Sequence, residues 1–225
     1  MQQLVKTRLA SGCVRYTLKK SQALMVPSRS LTSVPDDVFK AAADAEVHII
    51  DISKNKLTAV PMGVCHLKET LSQLIMSSNS IANIPPEICR CVHLQYLDVG
   101  KNCLAELPLE IANLKNLREL VISNNKFGKI PRCVYELENL EILLAAENQI
   151  EEINVSSDAL AKLKKLAVLD LSNNSIFTVP PELGNFTHLR SLELMGNCFR
   201  QPRHAILAKG TASVLSYLRD RIPTN

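Results

Sequence analysis

Apolar residues recur along this chain in one short phrase. Three of them at spacings of three and two are followed by two polar residues, an asparagine, one more residue and another apolar one. The phrase is clear in Val47, Ile50, Ile52, Asn55 and Leu57, and again in Leu117, Leu120, Ile122, Asn125 and Phe127. Seven clear copies are aligned by Asn55, Asn79, Asn102, Asn125, Asn148, Asn174 and Asn197. A degenerate copy precedes them, with Leu24, Val26 and Leu31 in place and Arg29 where the asparagine should stand. From Arg29 onward the spacings are 26, 24, 23, 23, 23, 26 and 23 residues. Alternation within each phrase is the period of a strand with one face buried and the other open. An apolar residue followed by proline closes most copies, as in Ile84-Pro85, Leu107-Pro108 and Val179-Pro180. Proline fixes φ and lacks a donor, so the chain should return in extended form.

Internal repeats of this period are the signature of a leucine-rich repeat solenoid. The expected fold is α/β, a curved parallel sheet on the concave side with short helices and turns on the convex side. Strands stack at ~4.8 Å, whereas helix axes need ~8–10 Å, and that difference sends the strands to the inside of the arc. The asparagines should form a ladder, each amide satisfying turn backbone groups that no regular strand reaches. Two copies are long. Residues 37–44, between Arg29 and Asn55, read as a helix, and so do residues 157–165, opened by Ser156 or Ser157 as N-cap. Residues 1–22 read as an irregular basic segment or cap, 23–201 as the repeats and 202–225 as a helical cap. In that tail Gly210 should break a first helical turn, Thr211 should cap the next helix, and Val214, Leu215, Tyr217 and Leu218 should cover the last repeat.

Charge changes the picture only when divided. The chain as a whole carries +4, but residues 1–22 carry +5 and the tail from Arg200 carries +4, which leaves −5 for the body. A basic protein facing nucleic acid is therefore a poor description, and the aromatic interleaving that base stacking needs is missing. The acid-free start has the composition of a presequence, although a solvated basic linker is the preferred reading. No apolar run is long enough to span a bilayer. Seven scattered cysteines, an odd number, fit no disulfide framework and suggest a reducing compartment.

Two stretches carry a closer resemblance. Residues 176–185, with Val179-Pro180-Pro181-Glu182, and the tail containing Lys209-Gly210-Thr211-Ala212 and Tyr217-Leu218-Arg219-Asp220 resemble the intracellular Ras-suppressor-like class of leucine-rich repeat proteins. The resemblance covers roughly residues 23–225. It implies a binding scaffold of the cytoplasm or nucleus, and it brings no catalytic residues.

Candidate chemistry is sparse. Cys65-His66 and Cys89-Arg90-Cys91-Val92-His93 come nearest to a metal set, but zinc wants paired C-x₂-C spacing, and packing thiols are the better reading. Seven glycines leave no phosphate loop. The histidines share no motif with a nucleophile, so no enzyme activity and no cofactor are expected. The informative surface is the concave face, where Asp51, Ile75, Tyr96, Asp98, Glu119, Val121, Ile142, Leu144, Val168, Asp170 and Glu193 should point into the arc. Acids interleaved with aliphatics suggest a protein partner offering basic groups around an apolar knob, with no nucleic acid and no membrane involved. The bland reading of the acids is that aspartate simply suits an exposed position. The alternative function is structural, an end segment of a longer solenoid with no binding role of its own.

Overall fold

The computed structural model describes residues 3–9, 12–19, 22–26 and 30–223; within 3–9 and 12–19 it describes backbone pairing alone. Arg29 and the last two residues lie outside the described set, as do the side chains of the first 21. A ten-stranded sheet runs the length of the molecule in simple sequence order. Strands β1 (Gln3–Leu9) and β2 (Gly12–Lys19) are antiparallel, and β2 pairs antiparallel with β3 (Ala23–Met25). From β3 onward every neighbour is parallel: β4 (Ile49–Asp51), β5 (Gln73–Ile75), β6 (Tyr96–Asp98), β7 (Glu119–Val121), β8 (Ile142–Leu144), β9 (Val168–Asp170) and β10 (Ser191–Glu193). Where the sequence suggested an irregular start, the described part of 1–22 is thus mostly a hairpin laid on the sheet edge. Its residues lack the repeat phrase, which is why the pattern gave no strand there.

Each repeat strand has only three residues, with its centre buried: Ile50, Leu74, Leu97, Leu120, Leu143, Leu169 and Leu192. The flanking apolar positions of the phrase, such as Leu117 and Ile122, are also at 0% exposure, so one continuous core fills the solenoid. On the convex side the chain turns through short 3-10 helices, Met62–Leu67, Pro86–Arg90, Leu109–Asn113, Arg132–Glu136 and Pro181–Asn185. Each follows a proline held extended at φ between −60° and −70° (Pro61, Pro85, Pro108, Pro131, Pro180). A 3-10 turn fits because it is short and brings i and i+3 to one side.

Of the two helices expected in the long copies, one forms. Helix α1 (Asp36–Asp44) buries Val38, Phe39 and Ala42, and its first turn carries Asp36 and Asp37, which suit the positive end of the helix dipole. Gly63 lets α1 close onto the next repeat, since a β-carbon there would sit 2.4 Å from the Phe39 ring. The helix expected over 157–165 does not form. Ser156 and Asp158 instead close a polar turn with Asn154, and Ala159 sits at φ −123°, ψ −130°, outside helical space. Only Leu160–Lys162 makes a single 3-10 turn. Side-chain competition for the backbone by Asn, Ser and Asp outweighs the helix propensity of the lysines and alanines that follow.

The tail closes the far end. Helix α2 (His204–Leu207) leads through Gly210, at φ +87°, into α3 (Thr211–Arg219). Val214, Leu215 and Leu218 are buried. Helix α3 docks where Gly184 allows it, because a β-carbon at 184 would meet the Arg219 backbone nitrogen at 2.4 Å. The Arg219 guanidinium donates to the Gly184 carbonyl from both Nε and Nη2, at 3.2 and 3.0 Å. Thr211 does not cap α3, whose N-cap is Gly210 without a side-chain bond. Its hydroxyl instead accepts the Leu192 N–H at 2.9 Å, occupying a donor on the outer edge of β10.

Candidate functional site

The scaffold of the site is the asparagine ladder. In every repeat Oδ1 accepts an N–H from the preceding repeat, at 2.9–3.2 Å; the donors are Leu31, Leu57, Ile81, Leu104, Phe127, Ile150 and Ile176. The amide nitrogen of each also donates to a carbonyl of its own repeat, and from Asn79 onward to the equivalent carbonyl one repeat back. Asn125, for instance, reaches Ile122 O at 3.1 Å and Val99 O at 3.0 Å. Those shared carbonyls use both lone pairs: Val99 O accepts from Asn102 as well as from Asn125.

A second repeated feature was invisible in the sequence. The residue before each ladder asparagine is left-handed: Lys54, Ser78, Lys101, Asn124, Glu147 and Asn173 have φ between +50° and +57°. Only the last repeat places glycine there, Gly196 at φ +75°. Of the six other positions four hold Lys, Ser or Glu, and two hold Asn, for which a left-handed backbone is better tolerated. The surrounding hydrogen bonds hold this bend, since the same residues donate to the next repeat, as Lys101 N does to Ser123 O at 2.9 Å.

Register brings the expected concave residues into two rows. One row, in strand order, is Ile49, Gln73, Tyr96, Glu119, Ile142, Val168 and Ser191. The other is Asp51, Ile75, Asp98, Val121, Leu144, Asp170 and Glu193. Tyr96 and Glu119 are direct neighbours, as are Asp98 and Val121. The aliphatics Ile75, Val121, Ile142, Leu144 and Val168 are half-buried rather than fully exposed, because each is shielded by the residue beside it in its row. Exposed large apolar side chains lie elsewhere: Met62, Val92, Leu109 at 74% and Phe177 at 64%, all outside the strands. Leu109 and Met62 directly follow the repeat prolines, a position the strand pattern does not weigh.

Electrostatics divide the face. Around Tyr96 the field is negative: burial raises its phenol pKa, and Asp98, Glu119 and Asp51 raise it further. Burial also raises the Glu119 carboxyl, with Asp98 adding to the shift. Among the described residues none of Asp51, Asp98, Glu119, Asp170 or Glu193 has an ion-pair partner. The aspartates nevertheless do local work. Asp51, Asp98 and Asp170 each accept the N–H two residues on, from Ser53, Gly100 and Ser172, at 2.9 Å. Three of the five acids therefore belong to turn chemistry, while Glu119 and Glu193 carry no such bond.

Three of the cysteines are packing groups. Cys89, Cys91 and Cys133 are buried, and burial pushes their thiols up to about 12, 12 and 11. Such thiols stay protonated and are poor nucleophiles. Among the described residues no group of His, Cys, Asp and Glu is placed to hold a metal ion, and no helix is long and apolar enough to cross a membrane.

Known proteins repeat this architecture. A chain from Leptospira interrogans, described as a leucine-rich repeat protein, superposes with a TM-score of 0.72 at 28% identity, over 83% of this chain and 46% of that one. The Arabidopsis receptor kinase HAESA, solved with the peptide hormone IDA and the co-receptor SERK1, gives 0.57 at 31% identity over 71% of this chain and 27% of its own. By sequence, Receptor-like protein 1 of Arabidopsis thaliana is 42% identical over 59 residues, 26% of this chain and 5% of the plant protein. The chain thus spans less than half the length of these relatives. A family model described as a leucine-rich repeat region matches residues 82–220, and the chain belongs to that family.

Proposed function

We propose that the chain is a non-enzymatic protein-interaction module that holds a protein partner across its concave face. The observation that carries this reading is acid without an ion-pair partner among the described residues, beside half-buried aliphatics: Glu119 and Asp98 crowd Tyr96, one step from Val121, Ile142 and Leu144. A partner with a basic rim around an apolar knob would relieve that repulsion and cover the aliphatics. The peptide hormone held by HAESA lends general support to a protein or peptide ligand. A scaffold or signalling role in the cytoplasm or nucleus follows from the resemblance to the Ras-suppressor-like class. Within that class, the segments at 176–185 and 195–224 resemble the C-terminal third of leucine-rich repeat-containing protein 40.

The test is proximity labelling in cells followed by capture of the labelled partner on the purified chain. Tyr96→Ala and Leu144→Arg should each abolish capture without lowering the melting temperature. Glu119→Lys with Glu193→Lys should slow association, and the loss should shrink as salt rises. Lys164→Glu with Lys165→Glu, on the convex side, should leave capture intact. Capture that survives every concave change and fails on the convex pair places the interface on the other side.

A further inference from the structure

On the convex side, among the described residues, stands a buried polar group that the fold does not use. Ten residues past the ladder asparagine the repeats carry small side chains, Cys65, Cys89, Ala112 and Gly184, with Ala161 equivalent once the insertion is counted. The repeat before the irregular one carries Tyr135 instead. Its side chain is only 6% exposed, yet among the described residues its hydroxyl makes no hydrogen bond. Buried tyrosine hydroxyls normally find a partner. A phenylalanine would fill the same space without stranding a polar atom.

The hydroxyl meets a real space. Two adjoining cavities of about 80 and 260 Å³ share Arg132, Tyr135 and Asn154 in their walls. They open because the irregular repeat replaces proline by Asn154 and shortens its 3-10 turn to Leu160–Lys162. Burial pushes the phenol up to about 12, and the charges it senses are Glu152, Arg132 and Asp158, all wall residues. It therefore faces the cavities, protonated and able to donate.

The walls also say what belongs there. Lys162 is taken by Glu136 at 2.6 Å, and Asp158 by the Ser156 hydroxyl at 2.5 Å. Arg132 has no ion pair or hydrogen bond among the described residues, and neither has Glu152. Lys129 and Arg132 balance Glu152 and Asp158 in charge. With the wall charges in balance, neither a carboxylate nor an ammonium gains a net attraction to offset the loss of its hydration. A neutral group that accepts on one side and donates on the other avoids that penalty.

We propose that this cavity, between the Arg132–Glu136 turn and the loop at Asn154–Asp158, is a binding site for a carboxamide, with Tyr135 and Arg132 donating to its oxygen and Glu152 accepting its N–H. A peptide bond and an Asn or Gln side chain both offer that chemistry. The site is on the opposite side of the solenoid from the concave face and stands independently of it.

The experiment uses the full chain with its four tyrosines labelled at Cζ, the Tyr135 resonance being assigned by its loss in Tyr135→Phe. N-methylacetamide stands for the main chain, propionamide for a side-chain amide, and acetate and methylammonium for the two ions. One or both amides should move the Tyr135 resonance saturably while the ions leave it still, and the stronger of the two names the source. Arg132→Gln should weaken that response roughly tenfold, as loss of a charged hydrogen bond does. Tyr135→Phe should melt no lower than the parent. Silence toward all four probes, a response to an ion instead of an amide, or a clear melting loss in Tyr135→Phe each overturns the assignment.

Discussion

The repeat between Asn125 and Asn148 and the one between Asn148 and Asn174 share a concave half and differ on the convex one. Both have a three-residue strand, a left-handed residue before the asparagine and a fully bonded ladder amide. The first then follows proline into a five-residue 3-10 helix, whereas the second makes a polar turn and only three 3-10 residues. Three inserted residues and a lost proline are absorbed without moving the strand register at all. The hydrogen-bonded bend is thus the invariant of the solenoid, and the convex arm is where sequence can vary.

If that division is right, the ladder should be equally demanding in both repeats. Asn125→Ala leaves the Leu104 N–H buried without an acceptor, because the Val99 and Ile122 carbonyls keep their other asparagine. A loss of about 2–3 kcal/mol is expected by denaturant unfolding. Asn174→Ala, at the end of the irregular repeat, should match it through the Ile150 N–H. A much smaller loss at Asn174 would mean that the irregular arm loosens the bend as well. Asn124→Ala removes no backbone partner and should cost less, about 1 kcal/mol, for alanine held at positive φ.

Convex contacts that are tight should also break. Gly184→Ala drives a methyl group into the α3 backbone and should cost roughly 1–3 kcal/mol, as overpacking does. Ala161→Gly, the equivalent position of the irregular repeat, should cost only about 0.5–1 kcal/mol, mainly through backbone entropy, its methyl group being only partly buried. Comparable melting losses for the two would erase the distinction between a docked and an undocked arm.

At the left-handed position, Lys101→Gly should stabilise by a few tenths of a kcal/mol up to about 1, relief of strain being partly offset by glycine's entropy. Gly196→Ala should go the other way, because its methyl group would collide with Asn173 Oδ1.

The smallest effect expected is on pH. His188 lies against the irregular repeat, and burial together with Lys164 lowers its pKa below the ordinary 6.5. A folded state that binds the proton less well than the unfolded one loses stability as pH falls through 6.5 toward the folded value. Its ring is substantially solvent-exposed, so solvent screening keeps the loss small. His188→Gln should flatten the melting curve over that window, and an unchanged slope would assign it to the carboxylates.

Much of this was legible in the letters. The alternation of Leu and the recurring Asn specify strand, register and ladder, because each of those positions has one neighbour type in every repeat. Helix α1 was legible because Val38, Phe39 and Ala42 share a face. The polar turn at 154–158 was not, since a run of Ser, Asp and Ala reads equally as a capped helix until the competing side-chain bonds are seen. The left-handed residues could not be read either: Lys, Ser and Glu carry no mark of positive φ. On the concave face the sequence placed every residue in its row but could not separate aspartates that hold a turn from glutamates that do not. Tyr135 carries no mark in the sequence either, because a single tyrosine among small residues forms no chemistry-bearing motif.

The ladder also has a direction in time. Each asparagine completes the bend of the repeat that precedes it, as Asn125 does for the Leu104 N–H and Asn148 for that of Phe127. A ribosome releases the chain from the N-terminal end, so every bend emerges one acceptor short and waits some 23 residues for the asparagine that closes it. Synthesis should therefore leave a single open turn travelling just behind the exit, never an array of them. Loss of repeats from the C-terminal end recreates that open turn, whereas loss from the N-terminal end does not.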